Sequence, residues 1–300
     1  MYEDFYGLLG RPFSPAADAT CFFMSKQHAV ALSALQYSVL TNAGLTLITA
    51  EAGMGKTLLV RRVASNIDDT VVIGCVTNTH GDYGSIYPWI LSAFELRSTM
   101  SDVVSAHESL QDFILKVQSE KRRAVVMIDE AQNLSNSALE EIRLLLNLNK
   151  TDDMGVQVVL IGQPLLADKL KQASMSNLAQ RISVDVELEP FDYEATDEYI
   201  SFRLSFYGGK PEIFDYVSRA TIFYHTRGIP RLINSVCDLA LVYGYGESLD
   251  VIDFRIIKQV LMSKKVGMNY FRKLGRSAEA VALHSAILAS HNVDISQFSV

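Results

Sequence analysis

The chain is poor in cysteine, has no long apolar run and carries no excess of basic charge. Its three cysteines, Cys21, Cys75 and Cys237, are scattered and form no C-x-x-C pair. That gives no metal site and no disulfide framework, and it suits a reducing compartment. No stretch approaches the ~18–20 apolar residues that span a bilayer. The opening MYEDFYGLLGRPF has two early acids and no long apolar core, so no secretory leader is read there. A cytoplasmic protein is expected, with peripheral contact at the inner membrane left open. The formal net charge of −7 argues against a surface coated in basic groups, though not against a local basic patch. There is no internal repeat and no low-complexity tract.

What is present is the composition of a globular protein, 49% hydrophobic and 20% charged, and 300 residues suggest about two domains. Short, largely apolar runs at 45–50, 70–76, 124–129 and 156–162 read as strands, and SVDVELE, 183–189, as another. Helical spacing separates them, at 25–42, from Lys56 onward, near 84–96 and 106–120, and after a cap at Ser135 or Ser137. Alternation of this kind implies a parallel sheet with helices on both faces. After Pro190 the pattern is helical only, near 192–206, 211–224, 229–243 and 251–262. The predicted organisation is an aromatic arm, 1–24, packed on the core; an α/β domain, 25–190; a helical lid, 191–262; and a tail, 263–300.

Two motifs fall at strand ends. AEAGMGKTL, residues 50–58, follows a strand and opens a helix. It fits the phosphate-loop pattern G-x-x-x-x-G-K-[ST] except that Ala50 holds the first glycine's place. Such a loop turns backbone N–H groups and a helix N-terminus toward phosphates. The expected binding set is Ala50, Glu51, Ala52, Gly53, Met54, Gly55, Lys56, Thr57 and Leu58. Lys56 would reach the β- and γ-phosphates of ATP, and Thr57 would ligand Mg²⁺. The second motif is VVMIDE, 125–130. Asp129, at a strand's carboxyl end, would hold Mg²⁺ through its water shell, and Glu130 would orient or deprotonate the attacking water. The plainer alternatives are a surface lysine on a glycine turn and an acid at a helix start.

With FYGLLGRPF (5–13), VVMIDEAQNLS (125–135), LIGQPLL (160–166), LAQRIS (178–183) and RGIPRLINSVCDLAL (227–241), the chain resembles AAA+ ATPases of the general secretion pathway protein A type. That group includes ATPases encoded with exosortase, exopolysaccharide and pilus systems, and the likeness covers roughly residues 1–262. It implies a P-loop NTPase sheet with an all-helical C-terminal lid. It also implies a sensor role for Gln163, an arginine finger at Arg181 acting on a neighbouring subunit, and a lid sensor at Arg231. Against these stand a turn amide before Pro164 and a surface ion pair for Arg181. Pro12 and Phe13 match segments that border adenine in related proteins, with core packing the simpler reading. Departures are Ala50, Leu165 where an acid is frequent, and no counterpart of the peptidoglycan-binding extension.

The segment 263–277 holds five basic side chains and no acid, with Tyr270 and Phe271 between them. Nucleic acid, anionic lipid or plain solvent would suit it, and 278–290 reads as a helix docking on the lid or on a partner. The leading expectation is an ATPase that self-associates as a ring or filament and works on a protein of a secretion or polysaccharide system. The competing ones are an ATP-dependent DNA-binding regulator of the transposition-assisting kind and a nucleotide-gated scaffold.

Overall fold

The computed structural model describes residues 1–14, 21–41, 43–65, 67–77, 84–96, 103–147, 156–264 and 277–296. The chain divides into two units, Lys26–Leu188 and Met1–Ser25 with Glu189–Val300.

In the first unit five strands form one parallel sheet: β1 (Leu45–Ala50), β2 (Val71–Val76), β3 (Arg123–Ile128), β4 (Val156–Gly162) and β5 (Ile182–Leu188), in the order β2-β3-β4-β1-β5. The central strands β1 and β4 are buried along their whole length, as expected of strands covered on both faces. The edge strand β5 alternates instead, with Ser183, Asp185 and Glu187 exposed. On one face Leu47, Val126, Ile128, Val158 and Leu160 pack against Leu110 and Ile114 of α5 (Val103–Ser119) and Leu139, Ile142 and Leu145 of α6 (Asn136–Leu146). Each such side chain removed from water contributes about 1.5–3 kcal/mol. Helices α2 (Lys26–Thr41) and α3 (Lys56–Ala64) pack with β5 and β1, and a short α4 (Tyr87–Ala93) lies by β2.

Register fixes where the site lies. Ile128 of β3 stands opposite Leu160 of β4, and Leu160 opposite Leu47 of β1. Gly162, the last residue of β4, stands opposite Thr49, one residue before the end of β1. The three strands therefore release their chains along one edge, with β4 between the other two.

The second unit is helical: α9 (Tyr193–Phe206), α10 (Tyr216–Thr226), α11 (Pro230–Gly246) and α12 (Phe254–Ser263) surround Ile200, Leu204, Ile233, Val236, Ala240, Ile256 and Val260. Two short helices of the first unit, α7 (Pro164–Leu170) and α8 (Ser176–Ala179), precede it in the chain. The helix expected over 211–224 is divided. A 3-10 turn at Pro211–Ile213 ends at extended Phe214, and Asp215 then caps α10 by accepting from the Ser218 amide at 2.7 Å.

The arm packs within this helical unit, where the sequence reading set it on the ATPase core. Its short helix α1 (Tyr2–Tyr6) lies on α11, and the Tyr2 hydroxyl donates to Asp238 at 2.6 Å. Arg11 pairs with the other carboxylate oxygen of Asp238 at 2.7 Å. Phe13, 1% exposed, meets Phe214 edge-on and is core. The tail helix α13 (Ala278–His291) docks on α10 through Ala280 and Ile287, and Ile295 after it joins the same cluster. His225 of α10 donates to the Ile295 carbonyl at 2.8 Å. Most of the basic segment, 265–276, with Tyr270 and Phe271, lies outside the described residues.

Candidate nucleotide site

The loop after β1 is built from backbone. Ala50 is the last residue of β1, 1% exposed, and it is not among the described residues with positive φ. The turn is made later, at Gly53 (φ 91°) and Gly55 (φ 89°), both in the region that glycine enters without steric cost. α3 then starts at Lys56, bringing the partial positive charge of its N-terminus to the loop. The Lys56 ammonium folds back across the loop, donating to the carbonyls of Ala50 at 2.8 Å and Glu51 at 3.1 Å. Met54 is buried beneath, while Glu51, Ala52, Gly53 and Leu58 are half-buried and Thr57 is exposed.

Below the loop sits His28 of α2, buried, with Nε2 3.0 Å from the Met54 carbonyl. Burial lowers its pKa, with the Met54 bond opposing, so the neutral ring is favoured and Nε2 is the donor. Nothing in the sequence marked this residue, which precedes the loop by a whole helix.

The acids leave the end of β3. Asp129 continues the ladder through its amide, which donates to the Val76 carbonyl at 2.8 Å. One of its carboxylate oxygens accepts from the Thr57 hydroxyl at 2.7 Å, and the other from the Glu130 amide at 2.8 Å. Glu130 is left-handed (φ 53°, ψ 35°), a conformation costly for a side chain with a Cβ. Its carboxylate accepts from the Gln132 amide at 2.5 Å and from the Gln163 amide at 3.5 Å, the latter a long contact. Gln132 was not singled out from the sequence. It lies inside DEAQ, but only the fold brings it to β4.

Thr57 and Asp129 thus place a hydroxyl and a carboxylate oxygen side by side, the hard donors that suit Mg²⁺. Among the described residues no three His, Cys, Asp or Glu gather into a metal cage. The donor set fits an ion that completes its shell with water and substrate phosphates.

Arg181 stands apart from these groups. It precedes Ile182, which pairs with Leu45 at the start of β1, so it lies a strand's length, roughly 17 Å, toward the opposite edge of the sheet. Its guanidinium donates to the Asn147 side chain after α6. Arg231 belongs to the helical unit, exposed in the first turn of α11. Leu165, in the place where an acid was expected, is exposed in the first turn of α7.

Residues 39–170 match the AAA domain family. Over 246 residues the chain is 34% identical to general secretion pathway protein A of Aeromonas hydrophila, a match covering 82% of this chain and 45% of that protein. The chain thus spans less than half the length of that curated relative. The ORC2 protein of Aeropyrum pernix superposes with a TM-score of 0.62 at 13% identity, covering 95% of this chain and 85% of that one. The Cdc6p protein of Pyrobaculum aerophilum gives 0.62 at 15%, over 88% and 74%. The RuvB Holliday junction branch migration motor of Thermotoga maritima gives 0.51 at 17%, over 91% and 82%. At these identities the superpositions speak for the fold. The chain has the AAA+ P-loop fold with a helical C-terminal region, carries an AAA domain over residues 39–170, and over 82% of its length is similar to general secretion pathway protein A.

Proposed function

We propose that the protein binds ATP with Mg²⁺ and hydrolyses it at a subunit boundary, to drive or switch a protein assembly of a secretion, exosortase or surface-polysaccharide system. One observation carries the reading. Thr57 and Asp129 meet at 2.7 Å with Glu130 next in the chain, so the phosphate loop and the acids share one sheet edge. The loop amides and Lys56 would take the phosphates once Lys56 exchanges the Ala50 and Glu51 carbonyls for phosphate oxygens. Thr57 and Asp129 would hold Mg²⁺, which draws charge from the β- and γ-phosphates. Glu130 would take the proton of a water as its oxygen bonds to the γ-phosphorus. The bridging P–O bond breaks, ADP keeps the electron pair, and the proton passes on to phosphate. Gln163 would orient the same water.

Arg181 supports the boundary. A finger at the far edge of its own sheet serves a neighbour's site better than its own, where it would offset charge in the transition state. Arg231 would contact phosphate from the lid. The proposed setting is cytoplasmic, with any membrane contact peripheral; no helix among the described residues is long and apolar enough to cross a bilayer. A second reading, ATP-dependent DNA binding, draws on the five basic side chains of 263–277.

Turnover against protein concentration tests the proposal. Glu130→Gln should bind ATP normally and hydrolyse it more slowly by about 100-fold or more. Arg181→Ala should bind and fail to turn over, and mixing it with Glu130→Gln should restore some activity. Concentration-independent turnover that survives Arg181→Ala would remove the shared site. ATP-dependent retention of duplex DNA on filters at low salt would favour the second reading.

A further inference from the structure

Gln132 occupies a position that the reaction as drawn leaves unused. It lies in the 3-10 turn Ala131–Asn133 after the acids and is 8% exposed. Its side-chain amide spans two elements. Nε2 donates to Glu130 Oε2 at 2.5 Å, and Oε1 accepts from the Gln163 backbone N–H at 3.0 Å. The partners fix the orientation of the amide, because a carboxylate must meet a donor and a backbone N–H an acceptor. The turn itself is held by Lys169 of α7, whose ammonium donates to the carbonyls of Gln132 at 3.0 Å and Leu134 at 2.7 Å. Gly162 gives the amide its room. A methyl group there would stand 2.9 Å from Gln132 Oε1 and 2.8 Å from a Leu166 methyl carbon.

We propose that Gln132 is the positioning residue for Glu130, and that it ties the acid's carboxylate to the backbone at the end of β4. This rests on the reading of Glu130 as the group that activates water. Glu130 is itself left-handed, and that backbone geometry alone leaves its three side-chain torsions free. The Gln132 donor removes that freedom by holding one carboxylate oxygen. Because the same amide holds the Gln163 N–H, a shift of Gln163 as it engages the attacking water is passed to the acid. Only an amide of this length serves both ends. Glutamate lacks the donor, leucine lacks both functions, and asparagine is one methylene short.

Steady-state ATP turnover and nucleotide affinity test this in Gln132→Leu and Gln132→Glu, the second nearly unchanged in size as a guard against misfolding. Both should lose kcat by about 10- to 100-fold, the weight of a hydrogen bond to a charged group, with KM and nucleotide Kd within about twofold. Gly162→Ala, which displaces the amide from behind, should lower kcat in the same sense. A cycle with Glu130→Gln separates positioning from general support. In that background Gln132→Leu should cost nothing further. Equal losses in both backgrounds, or wild-type kcat in Gln132→Leu and Gln132→Glu while Glu130→Gln is inactive, would overturn this inference alone. Wild-type turnover in Glu130→Gln would overturn the acid's role, and this inference with it.

Discussion

The loops that follow β1 and β3 leave the same edge of one sheet and are built on opposite terms. After β1 the chain turns left-handed at Gly53 and Gly55, where no side chain is present to object. The groups aimed at phosphate there are backbone amides and a helix end, joined by the Lys56 side chain. After β3 the left-handed residue is Glu130, which carries the acid itself. Left-handed backbone costs a residue with a Cβ about 1–2 kcal/mol. The surrounding bonds hold it there: Asp129 accepts from its amide and Gln132 donates to its carboxylate. A cradle made of backbone tolerates changes of side chain wherever φ permits them. A loop that positions one side chain tolerates none at that residue.

Exchanging the two solutions should have the largest effect. Glu130→Gly relieves the left-handed strain and removes the acid. Turnover should fall by about 100-fold or more, while thermal stability stays level or rises by up to about 1 kcal/mol, since glycine's added chain entropy offsets part of the relief. Gly55→Ala does the reverse. The space beside it is adequate, with His28 Nε2 3.6 Å from a built Cβ, so the penalty comes from φ. Stability should drop by about 1–2 kcal/mol, and ATP affinity should drop with it as the Met54–Lys56 amides reorient. Melting curves and nucleotide titrations on the two variants would show opposite signs for stability. A Glu130→Gly protein that melts well below wild type would mean that the left-handed turn stores no strain.

A change at His28 should have a smaller effect. It braces the glycine loop from below, so His28→Gln should lower stability by about 1 kcal/mol near pH 8, together with a modest loss of ATP affinity. Burial depresses the folded-state pKa, so the unfolded chain binds the proton first. The contribution is fully present above the ordinary value near 6.5 and is lost as pH falls from there through the depressed value. The gap in Tm between wild type and His28→Gln should therefore narrow as pH drops below about 6.5. A gap that widens on acidification would mean the ring is held charged.

Much of this was legible in the sequence. The buried strands β1, β3 and β4 announce themselves as largely apolar runs, and GKT and DE follow two of them, where open α/β sheets bind ligands. What escaped depends on neighbours distant in the chain. The aromatic arm gives no sign of which surface receives Tyr2 and Phe13; a hydroxyl bond to Asp238, more than two hundred residues away, settles it. Helical spacing over 211–224 hides the interruption at Phe214, because Asp215 caps a helix without disturbing apolar periodicity. Gln132 and His28 are an ordinary turn amide and an ordinary helix residue until β4 and the glycine loop arrive beside them.

Ala50 is the mildest test of the backbone cradle. It replaces the first glycine of the motif, which by itself suggests a damaged site. The residue closes β1, pairs with Leu188 of β5, and lies outside the positive-φ set, so a methyl group meets no backbone objection there. Its carbonyl accepts from Lys56 at 2.8 Å, a contact that any residue supplies. Ala50→Gly should therefore change ATP affinity by less than about tenfold, under ~1.4 kcal/mol. Stability should fall slightly, by up to about 0.5–1 kcal/mol, because glycine loses more chain entropy on folding than alanine. A gain in affinity beyond tenfold would show that the alanine restrains the loop through its own side chain, so that the turn is not set by the glycine backbone alone.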